Sequence, residues 1–232
     1  MTLIAEDLLL LMLDDDTGTV QGSVELTPLL GGALLAELAL MDAVRIGEKK
    51  GLWVPAKVRI SMADAPDLPP RDPLLAEAFQ LVHEKDRSAQ DLVGRLGKGA
   101  RDKLTTRLVD AGILERKESK ILGIFPRTTW PAADRRHEEA LRRDLTAVLV
   151  EGTEPDPRLG TIVALLVAAG RAHKTVPHLG VTDRDVKARA RAVAEGNWAA
   201  KAVKDAIDAV TAATMAAVTA AATAAAIGTG GS

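Results

Sequence analysis

LVDAGILERKESKILGIFPRTTWP, residues 108–131, sets how the rest of the chain is read. A helical run ends at Gly112, the residue type that most easily takes the left-handed position closing a helix. A β-hairpin is expected over 113–126, with an apolar tip formed by Ile121, Leu122, Gly123, Ile124 and Phe125. Two readings of that tip are open. Short apolar strands usually bury something, which would pack the tip on a neighbouring helix. An exposed apolar patch instead marks an interaction site, here a membrane or a second subunit. Arg116, Lys117, Lys120 and Arg127 flank the tip and suit an anionic bilayer surface.

Immediately upstream runs Gly94-Arg95-Leu96-Gly97-Lys98-Gly99-Ala100-Arg101. It lacks the GxxxxGKS/T spacing of a nucleotide P-loop. It does open a helix, and a helix N-terminus offers free N–H groups and the positive end of the dipole to phosphate. Lys98 and Arg101 add charge there and Arg95 is near enough to join them. These three are the candidate phosphate-binding residues; a solvated cap with ordinary surface cations is the plainer alternative.

Ser88–Gly97, Lys98–Ala111 and the hairpin follow in the order of a winged helix-turn-helix. Arg101, Lys103 and Arg107 would then lie on the recognition helix. A net charge of −2 and an apolar wing tip weigh against nucleic acid as a partner.

Composition narrows the field further. The 232 residues suffice for a substantial core. With no cysteine there is no disulfide, thiolate nucleophile or cysteine zinc site, which suits a reducing cytoplasm. Tyrosine is absent, and the aromatics are Phe79, Phe125, Trp53, Trp130 and Trp198. The core must therefore be aliphatic, and base-stacking platforms are scarce. The N-terminus has no basic segment, and Glu6 and Asp7 interrupt its apolar run, unlike a secretory signal. Ala209–Ile227 carries no charge and is long enough to span a bilayer. Its Ala and Thr content gives little insertion energy, so a helix buried in the core is expected.

Helical periodicity dominates the rest. Helices are expected from Thr2 to Leu13, from Pro28 after a Thr27 cap to Met41, over 73–85, from Ser88, over 101–111, from Pro131 to Val150, over 160–170, and from Thr182 to Ile227 with a break near Gly196-Asn197. Residues 43–61 read as two strands joined by a turn at 47–51. The expected fold is mostly α: a single helical domain over 1–227 with short β-hairpins, one of them protruding after a winged-helix-like helix pair, and a disordered tail at 228–232.

No catalytic constellation stands out. His83, His137, His173 and His178 form no HExxH arrangement, and Asp14-Asp15-Asp16 lacks the alternation of a calcium loop. No GxSxG or Ser-His-Asp pattern appears. Neither an enzyme, a metal centre nor a cofactor is expected.

Leu8–Gly18 (LLLLMLDDDTG), Gly31–Leu40 (GGALLAELAL), Pro73–Val82 (PLLAEAFQLV) and Lys103–Leu114 (KLTTRLVDAGIL), followed by the hairpin and FPRTTWP, resemble the Golgi phosphoprotein 3 (GPP34-like) family, in its shorter bacterial branch. The resemblance implies a largely helical domain without known enzymatic activity, cytoplasmic and peripherally membrane-associated. Eukaryotic relatives bind phosphatidylinositol 4-phosphate and act as adaptors that hold glycosyltransferase clients on Golgi membranes. Their lipid pocket uses a tryptophan, an arginine and two basic residues at the start of the helix before the hairpin. Lys98 and Arg101 fall on the basic pair, and Ile121–Ile124 on a hairpin that inserts into the bilayer. The tryptophan and arginine positions fall near Gly22 and at Gly31, so half of that pocket is kept. Trp53 and Trp130 are the aromatics available to take the tryptophan's place.

The expected function is a peripheral membrane protein or adaptor that recognises an anionic phospholipid, with protein clients. Two alternatives remain: a soluble protein–protein interaction module that forms a homo-oligomer through the hairpin, and a winged-helix nucleic-acid binder.

Overall fold

A computed structural model describes residues 2–14, 17–47, 57–60, 70–121, 125–177 and 180–229. Its organising element is α2 (Ser23–Leu40), a helix so apolar that it is buried on nearly every side. Around it pack α1 (Ile4–Leu11), α4 (Ala89–Gly97), α7 (Pro157–Ala168) and the first half of α9 (Lys201–Thr229). α3 (Pro73–Glu84), α5 (Ala100–Asp110), α6 (Arg136–Thr146) and α8 (Asp183–Glu195) complete the shell. Their buried aliphatic residues join one continuous core, as expected for a mostly α domain.

Local signals place most helix starts. The Asp72 side chain accepts from the N–H groups of Leu74 and Leu75 ahead of Pro73. Ser88 accepts from Asp91, and Thr182 from Asp185. Asp156 does the same for Leu159 ahead of Pro157, so α7 begins one turn before Gly160, where the sequence reading placed it. α2 also starts earlier than expected. Gly22 caps it in the left-handed conformation, and Pro28 lies inside the helix instead of opening it. α6 begins at Arg136, after a loop that follows Pro131.

The described strands are short and antiparallel. β1 (Val44–Ile46), β2 (Lys57–Ile60) and β3 (Arg87–Ser88) form one sheet, and β4 (Lys117–Ile121) and β5 (Phe125–Thr129) form the hairpin. The two-residue β3 carries too little pattern to be read from sequence. The hairpin sits a few residues later than expected, because Leu114 bridges to Ala132 beneath it. Leu52, Val54 and the proline-rich 64–70 stretch as far as residue 69 lie outside the described residues.

α9 departs from the expected buried helix. Ile207, Val210, Ala213 and Thr214 are buried, with Thr214 seated against Gly32 of α2. Beyond that point Met215 is 45% and Ile227 73% exposed. Alanine's high helix propensity sustains the helix without burial, and its methyl groups give a core little reason to cover them. The helix also runs through Gly228 and Thr229, where a disordered tail was expected.

One polar cluster lies inside the apolar frame. Arg158 on α7 donates to Asp7 of α1 at 2.6 Å, to Glu37 of α2 at 3.1 Å and to the Thr2 carbonyl at 2.7 Å. Glu37 also accepts the Ile4 N–H at 2.6 Å. Thr2 Oγ1 and His137 Nε2 complete the partners of Asp7. Buried polar groups persist only when satisfied in this way. A second clamp holds Arg107 of α5 to Glu6 and Asp72 at 3.0 and 2.8 Å.

Candidate functional site

The α4–α5 junction is built by close backbone approach. A Cβ on Gly97 would lie 2.1 Å from the Thr27 carbonyl oxygen, so α4 ends directly against α2. Lys98 follows in an extended conformation and Gly99 in the left-handed one, at φ +75°. This turn throws Lys98 outward and starts α5 with no side-chain cap on its first N–H groups. Those groups and the dipole favour an anion at this end.

The three expected cations meet different surroundings. Lys98 is exposed and has no ion-pair or hydrogen-bond partner for its side chain among the described residues. Arg101 lies over the ring of Trp130, 5.0 Å from its centroid, at cation–π distance. Arg95 is spent locally on Asp91 at 2.9 Å and turns toward a cleft that it shares with Lys98. Lys98 and Arg101 therefore flank the same helix start, whereas Arg95 arrives already neutralised.

Trp130 thus stands beside one of the candidate cations, although it comes from the strand end after the hairpin. Its backbone N–H donates to the Gly18 carbonyl at 3.2 Å. Trp53 lies outside the described residues. No sequence signal ties Trp130 to Arg101, since the hairpin separates them.

Gly22 and Gly31 are structurally committed. Gly22 is left-handed at φ +82°, with Glu25, Met12 and the Arg171 guanidinium close around it. At Gly31 an added Cβ would meet the Val93 carbonyl oxygen at 2.0 Å and the Gly97 nitrogen at 2.7 Å. An arginine side chain has no room at Gly31, because the α4 backbone lies against this face of α2.

The hairpin follows α5, and Trp130, just past the end of β5, meets Arg101 at the helix start. Ile121 pairs with Phe125 as the last rung of the ladder. Leu122 and Ile124 lie outside the described residues, and for Ile121 and Phe125 the backbone pairing is what the structure gives. The remaining recognition-helix cations are engaged within the chain: Lys103 holds Glu77 at 2.5 Å and Arg107 holds Glu6 and Asp72. A nucleic-acid reading needs those charges free.

Asp14 accepts from the Thr17 N–H and hydroxyl, closing a turn. His137 joins the buried Asp7 cluster, and His178 lies outside the described residues. That cluster went unread in sequence, although two carboxylates set within the apolar run of α1 were its visible sign.

A family model described as Golgi phosphoprotein 3 (GPP34) matches residues 4–210. It spans every element from α1 into the buried half of α9 and stops before the exposed half. No curated protein matches the chain.

Proposed function

The chain belongs to the Golgi phosphoprotein 3 family, and on that premise we propose that it is a peripheral membrane adaptor that docks on anionic phospholipid from the cytoplasmic side. Lys98 and Arg101 meet the lipid phosphate at the start of α5, and the Ile121–Phe125 tip enters the apolar layer. The observation that carries this reading is the exposed Lys98, unpartnered among the described residues, at a helix start without a side-chain cap that also bears Arg101. A lysine or arginine near an anionic surface contributes about 1 kcal/mol. Phosphatidylinositol 4-phosphate is the headgroup implied by resemblance. With Gly31 closed against α4, recognition rests on the retained cations and on Trp130 in place of the missing tryptophan. Protein clients held at the membrane complete the adaptor role.

The Lys98→Ala/Arg101→Ala variant is expected to float with anionic vesicles about ten- to thirtyfold less well than the parent and to show a flatter salt dependence. Unchanged flotation of the folded variant would remove both residues from the site. A protein that ignores vesicles and self-associates in solution would favour a soluble interaction module.

A further inference from the structure

α3 and the α4–α5 junction leave a cleft of 420 Å³ between them, within the size range of small-molecule sites. The half-buried Leu74, Leu81 and Leu96 give it apolar walls. Its charges come from both sides and largely cancel. Lys103 is bound to Glu77, Arg95 to Asp91, and Glu84 lies 3.6 Å from Arg87. Lys98 is left as the lining charge with no partner among the described residues.

A trough with leucine walls and one lining cation left unpaired among the described residues matches an amphipathic anion. Phosphate would meet the Lys98 ammonium in a charge-assisted hydrogen bond, and a hydrocarbon chain would cover the leucines. Resting on the reading that Lys98 meets lipid phosphate, we propose that this cleft holds an acyl chain of the same anionic lipid. The protein then draws part of one lipid molecule out of the bilayer as well as touching headgroups. Every methylene taken from water strengthens binding roughly fourfold, so chain occupancy separates from headgroup contact in affinity.

The test titrates the full chain, with methyl groups observed by NMR, against dihexanoyl phosphatidic acid below its micelle concentration. Glycerol phosphate is the headgroup-only probe. The short-chain lipid is expected to shift the methyls of Leu74, Leu81 and Leu96 saturably. It should bind at least about tenfold more tightly than glycerol phosphate. Lys98→Glu and Leu81→Glu should each abolish those shifts. Equal affinity for the two probes, or lipid-induced shifts confined to other methyls, would overturn the proposal and leave the cleft to a protein partner. This comparison needs only the parent protein, so an unfolded variant does not spoil it. If vesicle flotation depends on Lys98 and Arg101 while the three leucines stay unmoved, the cleft proposal falls alone. If the leucines shift but the protein ignores vesicles, the membrane reading falls.

Discussion

Replacing Arg158 with alanine is expected to cost about 3–5 kcal/mol of folding stability at neutral pH, the range seen when one partner of a buried ion pair is removed. The side chain of Arg158 is 21% exposed, and those of its partners Asp7 and Glu37 are 3% and 13% exposed. Little water is therefore present to replace the guanidinium. Three elements lose their common tie at once: the Thr2 carbonyl at the chain start, α1 through Asp7, and α2 through Glu37. The loss should shrink on acidification. Burial already pushes the Glu37 carboxyl above its ordinary value, against the Ile4 N–H and Arg158, which both pull it down. A carboxyl raised in the folded state favours folding most below its unfolded value and loses that contribution as pH rises through the folded value. Without Arg158 the carboxyl rises further, so denaturant midpoints of parent and variant should converge as pH falls from neutral toward the ordinary glutamate value. A deficit that is constant across this window, or one below about 1 kcal/mol, would show that the cluster is solvated and not a structural tie.

Gly31→Arg is expected to abolish the native packing and leave affinity for phosphatidylinositol 4-phosphate unimproved. Even Gly31→Ala places a methyl 2.0 Å from the Val93 carbonyl oxygen. That obstacle is backbone on α4, held in turn by Gly97 against Thr27, so no flexible side chain can swing aside. Overpacking of this kind costs about 1–3 kcal/mol for a small group. An arginine adds a buried charge without a carboxylate partner, which raises the cost further. Thermal melts of the two variants should order as parent, alanine, arginine, with the arginine variant failing to show a cooperative transition. A folded Gly31→Arg protein with enhanced phosphoinositide binding would mean that α2 and α4 separate readily and that the pocket is open in solution.

The parts legible in the sequence are those with local causes. Asp72-Pro73 and Ser88 announce α3 and α4, and Gly112 closes α5 ahead of the hairpin. The order of helix pair and hairpin, and the placing of Lys98 and Arg101 at the start of α5, follow from the same cues. What failed to show depends on residues far apart in the chain. Nothing local marks Arg158, whose partner Asp7 on α1 lies 151 positions away in sequence. Arg101 finds Trp130 only once the hairpin folds back. Arg95 lies near enough in sequence to join Lys98, yet Asp91 one helical turn earlier claims it. The uncharged run of α9 reads as core, yet only its first half is buried. Its outer half has no large side chains to anchor it, and α2 offers a seat only as far as Thr214. The reason for glycine at position 31, contact with the α4 backbone, is tertiary and leaves no mark in the local sequence.

Insertion of the hairpin tip into a bilayer is directly measurable, because the chain has no cysteine. A Leu122→Cys variant carries a single attachment point for an environment-sensitive fluorophore. With phosphatidylglycerol vesicles its emission should shift to the blue and become accessible to quenchers placed on lipid acyl chains, and neither change should occur with neutral vesicles or in the Lys98→Ala/Arg101→Ala background. An emission spectrum that stays unchanged on anionic vesicles, or that shifts with protein concentration in their absence, would contradict membrane insertion and assign the tip to contacts between protein chains.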